Sequence, residues 1–169
     1  NRHRSRMVYQ FFLATDVMKL AERPIDPTSI QDHNPTMFNP DCSACHEVID
    51  PLAGAFQNWN DSGRRIVPEE GWHADMLPTG FGDAVMPYEE RYRAAQWIAA
   101  KIASDPRFAL ATVRTVYTGL TGHAPIIAPS EEEDIKDFAS YKLAFDTQDS
   151  FFKELAADFQ DSGFDLRVV

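Results

Sequence analysis

The sequence has few cysteines and few basic residues, and both shortages exclude classes of protein. Its 169 residues include two Cys, and 16 Lys and Arg stand against 26 Asp and Glu, for a formal charge of −10. Neutralising phosphates needs clustered Lys and Arg, so this charge argues against nucleic acid as a partner. The one basic cluster, "NRHRSR" at residues 1–6, is too small to form a binding surface.

Long apolar runs are missing as well. The most apolar early segment, "MVYQFFLATDVMKL" at residues 7–20, is too short to span a bilayer and is interrupted by Gln10, Asp16 and Lys19. It also lacks the cleavage site of a signal peptide. Because the chain starts at Asn1 instead of Met, we expect it to be a processed product or a fragment of a longer polypeptide.

Alternating strand patterns are absent too, and the sequence therefore predicts an all-α, loop-rich fold. Helices are predicted at residues 5–22, at 88–103, from Asp105 to Gly119 or Gly122, from the capping box of Ser130 and Glu133, and around 151–159. The first helix is expected to bury Met7, Phe11, Ala14, Met18 and Ala21. We predict an N-terminal helix with a Pro-rich lead-in (1–37), a central module (38–125) and C-terminal helices (126–169).

Both cysteines lie in one short segment, "NPDCSACHEVIDPLAG", residues 39–54. Cys42 and Cys45 are three positions apart and His46 follows directly, which is the attachment signature of c-type haem. Two thiols one short turn apart meet the two vinyl groups, and the next imidazole reaches the iron. The motif predicts one covalent haem c, with His46 as the proximal iron ligand.

Three other interpretations of the cysteines remain open. A redox dithiol would need a βαβ context, and no such strand is predicted. Zinc would need a fourth ligand such as His33 or His73. A plain disulfide between Cys42 and Cys45 would leave His46 unexplained.

Residues around the motif are candidates to enclose a large apolar cofactor. Pro51 resembles the prolines that hold haem-ligand loops, and carbonyl groups beside it are expected to orient His46 through its second ring nitrogen. Arg64 and Arg65 are candidates to pair with a haem propionate. The aromatic candidates are Phe38, Phe56, Trp59, Trp72 and Phe81.

The sixth iron ligand is not fixed by the motif. Met86, followed by Pro87 just before a predicted helix, is the first candidate, and Met76 in the same loop is the second. His73 and an open iron are further alternatives. Met37 would have to cross to the opposite haem face. His33 in a polar loop and His123 after a helix-ending glycine are less favoured candidates.

Two segments carry a resemblance to a known family. Residues 42–65, "CSACHEVIDPLAGAFQNWNDSGRR", and 105–125, "DPRFALATVRTVYTGLTGHAP", resemble the C-terminal cytochrome-like modules of large secreted planctomycete and myxobacterial proteins. Ala53 is inserted relative to that pattern, and His123 replaces its usual Arg. The resemblance implies an exported haem protein without a settled activity. The matching positions are Asp50, Pro51, Leu52, Gly54, Asp61, Gly63, Arg64, Asp105, Pro106, Arg107, Phe108 and Gly122.

The sequence thus predicts a mono-haem c-type cytochrome that transfers single electrons. Bacterial haem attachment occurs in the periplasm, so a periplasmic or extracellular location is expected. The acidic charge favours a redox partner protein that is basic or carries haem. One alternative is a subunit of a larger multi-haem, respiratory or filamentous assembly. Another is a peroxidase-like enzyme or sensor with an open axial site, for which His73 beside Trp72, or Arg64, would supply distal groups.

Overall fold

A computed structural model of the chain describes residues 1–20, 35–60, 62–66, 74–129 and 136–169. The described chain is mostly helical, with one short β-hairpin, which confirms the predicted helical class. It divides into two compact units, Asn1–Ser104 and Asp105–Val169. Within the described residues, no helix is long and apolar enough to cross a membrane. The domain boundaries placed near residues 37 and 125 stay predictions.

The first helix, α1, is shorter than predicted. It spans Arg2–Phe12 and is followed by a 3₁₀ turn at Val17–Leu20, because the chain turns at Ala14 with a positive φ of 47°. The predicted buried face was wrong as well, since Phe11 and Met18 are exposed and Met7 and Ala14 only half-buried, while Ala21 lies outside the described residues. The buried side chains are Ser5, Tyr9, Leu13 and Val17, which recur every fourth residue.

The cysteine motif lies in a helix that was not among the predicted ones. After the short α2 (Pro35–Phe38), α3 spans Pro40–Gly54. Asn39 caps α3 because its side-chain oxygen accepts the Asp41 N–H at 2.9 Å, and Pro40 occupies the first turn, where its missing N–H costs nothing. The cap and Pro40 together start the helix directly before the motif.

Helix α1 packs against α3 beside an internal proline. Pro51 has no N–H, so α3 loses one bond of its backbone ladder at this point. The Ser5 hydroxyl donates to the Ile49 carbonyl at 2.8 Å, and the Tyr9 hydroxyl donates to the Val48 carbonyl at 3.3 Å. The two hydroxyls explain why polar residues lie on the buried face of α1.

The rest of the first unit is built from short elements. A 3₁₀ turn at Ala74–Met76 precedes β1 (Gly80–Phe81), which pairs antiparallel with β2 (Ala84–Val85). A second 3₁₀ segment, Tyr88–Arg93, leads into α4, Ala94–Ala103. The helix predicted at 88–103 is thus confirmed from Ala94 onward. Its buried residues are Ala94, Ile98 and Ile102, while Tyr92, Ala95 and Ala99 are exposed.

The second unit pairs two long helices. Helix α5, Pro106–Thr121, begins at the Asp105 cap and ends at Gly122 in the left-handed region (φ 71°), as predicted. Helix α6, Phe138–Asp161, contains the apolar residues predicted around 151–159, and a 3₁₀ turn at Leu166–Val168 follows. The capping box of Ser130 and Glu133 lies outside the described residues. The shared core consists of Ala109, Val113, Phe152, Ala156 and Phe159.

Candidate functional site

Helix α3 brings the three motif residues to one side. Residues at positions i, i+3 and i+4 of an α-helix lie on the same face, and Cys42, Cys45 and His46 have this spacing. Cys45 is buried, with 7% of its surface exposed, while Cys42 and His46 are half-buried. Two thiols and one imidazole are thus presented together at the edge of the first unit's core.

Both cysteines are free thiols. The Cys45 thiol donates to the Val17 carbonyl, with the sulfur 3.2 Å from the oxygen, so the turn after α1 covers this residue. Among the described residues no group of three Cys, His, Asp or Glu is placed to hold a metal ion. His33 and His73, the suggested fourth zinc ligands, lie outside the described residues.

The second ring nitrogen of His46 is held by a carboxylate. His46 Nδ1 lies 3.1 Å from Asp50 Oδ1 and 3.0 Å from Oδ2, one helical turn further along α3. A carboxylate accepts hydrogen bonds, so Nδ1–H is the donor in this pair, and in the neutral imidazole Nε2 is then the nitrogen with the free lone pair. The expectation that carbonyl groups near Pro51 orient His46 was wrong, because the Asp50 side chain performs this function.

Arg2 of α1 holds Asp50 from the other side. Arg2 Nε donates to Asp50 Oδ1 at 2.8 Å and Nη2 donates to Oδ2 at 3.0 Å, a two-pronged ion pair. Arg2 Nη2 also contacts Asp75 and lies 3.4 Å from the Thr36 hydroxyl. The hydrogen bond with Asp50 is the main reason that the pKa of Arg2 is raised. Arg2 therefore ties α1, α2, α3 and the turn at Ala74–Met76 to the carboxylate behind His46.

Sequence reasoning missed this network. Asp50 was noted only as part of the family pattern, and Arg2 only as part of a small basic cluster. The spacing of four residues between His46 and Asp50 was a usable signal once a helix was assumed. The contact of Arg2 with Asp50, 48 positions apart, had no sequence signal because it depends on how α1 packs.

The donor set fits a c-type haem. The free thiols of Cys42 and Cys45 would form the two thioethers, and Nε2 of His46 would bind the iron while Nδ1 stays on Asp50. Forming the thioether at Cys45 would replace its weak S–H donation to Val17. The buried Gln57 amide, three residues beyond α3, has no partner for either polar atom within the described chain. An unpartnered buried amide of this kind is commonly satisfied by water or a bound group.

The other predicted haem contacts are dispersed. Pro51 lies within α3 and Phe56 is half-buried just after it. Trp59 is 40% exposed, and Arg64 and Arg65 are exposed in the following loop. Of the remaining aromatic candidates, Phe38 is 70% exposed, Phe81 is buried, and Trp72 lies outside the described residues.

Both candidate methionine ligands are buried. Met76 ends the turn whose Asp75 contacts Arg2, and its carbonyl oxygen lies 2.5 Å from where a Cβ on Gly54 would stand. Glycine at position 54 therefore allows this turn to approach the end of α3. Met86 is held by its own N–H, which donates to the Thr79 carbonyl at 2.8 Å.

A cavity of about 400 Å³ lies beside Met86. Its walls are largely apolar, and Arg91 is the charged residue among them. The Arg91 guanidinium stacks over Tyr88 and Tyr92, at 4.0 and 4.4 Å from the ring centres. The lining residues are Leu77, Pro78, Thr79, Met86, Tyr88 and Arg91.

Comparison with known proteins adds no relative: no model of a protein family, no curated protein and no solved structure matches the chain. The class that the fold and site define is a mostly helical protein with a Cys-x-x-Cys-His motif on one helical face and a carboxylate behind the histidine. The likeness to planctomycete and myxobacterial modules rests on the quoted residues alone.

Proposed function

We propose that this protein is a mono-haem c-type cytochrome that transfers single electrons. Cys42 and Cys45 would attach the haem through thioethers, and His46 Nε2 would bind its iron. The haem, when bound, supplies a one-electron iron couple. The observation that carries the proposal is the set of two free thiols and a histidine on one face of α3, with Nδ1 of that histidine already occupied by Asp50.

We infer that Met86, in preference to Met76, is the sixth ligand. Asp50 lies on the Nδ1 side of the imidazole ring, and Arg2 and Asp75 are joined to it in one series of contacts. Met76 follows Asp75 directly in the same 3₁₀ turn. Met86 is buried beside an apolar cavity, which suits a thioether ligand and a haem edge.

Location and partner follow from the proposed chemistry. Covalent haem attachment in bacteria takes place in the periplasm, so the protein belongs in the periplasm or outside the cell. A formal charge of −10 suits a redox partner with a basic surface. Such a pairing accelerates encounter without requiring a large permanent interface.

The first experiment is the visible spectrum of the whole chain, produced in a bacterial periplasm with haem-attachment enzymes. We expect a Soret band, sharp low-spin bands in the ferric and dithionite-reduced states, and haem stain that stays on the chain in a denaturing gel. The matched control is Cys42→Ser with Cys45→Ser, which should lose the covalent stain. A wild-type chain without a Soret band would refute the proposal and return the thiols to zinc or disulfide chemistry.

The same preparation separates the alternatives. High-spin bands, with binding of carbon monoxide or cyanide, would favour an enzyme or sensor with an open axial site. A stable multi-subunit mass in size-exclusion chromatography with light scattering would favour a subunit of a larger assembly. A low-spin monomer that exchanges electrons with a basic cytochrome agrees with the carrier proposed here.

A further inference from the structure

Asp50 is a buried carboxylate shared between two cationic or proton-donating partners. Its side chain is 7% exposed, and both oxygens contact His46 Nδ1 on one side and Arg2 on the other. Asp75 is the next charged group, and it reaches this cluster only through Arg2. The cluster thus contains one carboxylate that touches the histidine and one that does not.

We propose that Asp50 is a positioning residue that lowers the reduction potential of the His46-ligated haem, and that Arg2 moderates this effect. The inference rests on the proposed function and concerns the tuning of the same site. A carboxylate accepts a stronger hydrogen bond from Nδ1–H than a neutral carbonyl does, and this makes the ligating nitrogen more electron-donating. An electron-rich axial ligand stabilises ferric over ferrous iron. The Arg2 guanidinium draws charge from Asp50 and weakens that donation.

The direct test is Asp50→Asn in the haem-loaded chain, with the midpoint potential measured by spectroelectrochemistry. We expect the ferrous-to-ferric ratio at a fixed potential to rise at least tenfold, which for a one-electron couple corresponds to about 59 mV. Asp75→Asn is the matched control, because it removes the same charge from the same cluster without touching His46. It should change the ratio much less than Asp50→Asn does.

Arg2→Gln provides a test with the opposite sign. Without the guanidinium, Asp50 becomes a stronger acceptor, so the ferrous-to-ferric ratio should fall severalfold. General loosening of the haem pocket would move both variants in the same direction. Shifts of equal sign for Asp50→Asn and Arg2→Gln, or equal shifts for Asp50→Asn and Asp75→Asn, would overturn the proposal.

A wild-type measurement keeps the proposal testable even if a variant fails to fold. In the ferric protein, proton NMR should show a hyperfine-shifted His46 Nδ1–H that exchanges slowly with D₂O, because Asp50 and its surroundings shield it. A rapidly exchanging Nδ1–H would overturn the inference while a normal haem spectrum left the cytochrome proposal intact. A chain without covalent haem would instead refute the proposed function itself.

Discussion

At the scale of single residues, the site depends on what occupies each side of one imidazole ring. Asp50 takes Nδ1 of His46 and leaves Nε2 as the only ring nitrogen able to bind iron. This arrangement holds the imidazole ring in one orientation. Arg2 links this carboxylate to Asp75, whose turn ends at Met76, one of the two candidate methionines.

Met86→Ala should convert the ferric haem from low-spin to high-spin, because it removes the proposed sixth ligand. The ferrous variant should then bind carbon monoxide, and its midpoint potential should fall because methionine ligation raises the potential. Met76→Ala should remain low-spin in the same absorption measurement. Met37→Ala, at a side chain 47% exposed, is the control for unspecific effects of replacing a methionine. A high-spin Met76→Ala protein beside a low-spin Met86→Ala protein would reverse the assignment.

At the scale of elements, the helices are held by a few well-buried contacts. Phe152 of α6 is 2% exposed and meets Tyr117 of α5 edge to face, with ring centres 5.0 Å apart. Phe151, the next residue, is 54% exposed. Because the two residues are of the same type and differ in burial, replacing each in turn measures the effect of burial alone.

Phe152→Ala should lower the free energy of unfolding of the second unit by about 3–5 kcal/mol, the usual cost of emptying a buried phenylalanine site. Phe151→Ala should change it by less than about 0.5 kcal/mol, as surface substitutions do. Urea unfolding followed by circular dichroism measures both. Equal losses for the two variants would contradict the described packing of α6.

An ion pair between α5 and α6 makes stability depend on pH. Arg114 and Lys153 donate to Asp149 at 2.9 and 2.7 Å. Burial raises the pKa of Asp149, but the hydrogen bonds from Lys153 and Arg114 outweigh it and hold the pKa below its usual range. A lowered folded-state pKa gives stability that is present above the unfolded pKa of about 4 and is lost as pH falls through the folded value.

Asp149→Asn should therefore cost about 1 kcal/mol of unfolding free energy at neutral pH; the difference from wild type should start to decline near the unfolded pKa of about 4 and vanish only below the lowered folded-state pKa. Urea unfolding over a pH series checks this. Asp146→Asn is the control, since its pair with Lys142 joins two half-exposed side chains and contributes little. A cost for Asp149→Asn that persists undiminished in acid would show that the charge is not responsible.

At the scale of the whole molecule, 26 acidic residues stand against 16 basic ones, and this net negative charge should favour the proposed basic partner. Electron transfer from a basic haem protein should have a second-order rate constant that falls by about tenfold or more between low and physiological salt, since ions screen the attraction. Stopped-flow absorbance measures this rate. An acidic donor of similar potential is the control, and its rate should instead rise with salt.

Secondary structure was predictable where capping signals coincide with a clear apolar period. Asp105, Pro106 and Gly122 mark both ends of α5, and the structure confirms them. The face of α1 was not predictable, because its buried positions include the hydroxyls of Ser5 and Tyr9, whose partners are carbonyls of α3. From sequence alone a polar residue on a helix is predicted to be exposed, because the distant partner that allows its burial is not visible.

The sequence by itself determined the helical class and the grouping of Cys42, Cys45 and His46, because these depend on composition and on spacing within one short segment. Only the tertiary structure decided that Arg2 stands behind Asp50 and that Asp75 joins them, because those contacts connect residues 48 and 73 positions apart. Spacing along the sequence predicts which residues share one face of a helix. The packing of α1 on α3 decides that the Arg2 guanidinium lies beside Asp50, next to His46.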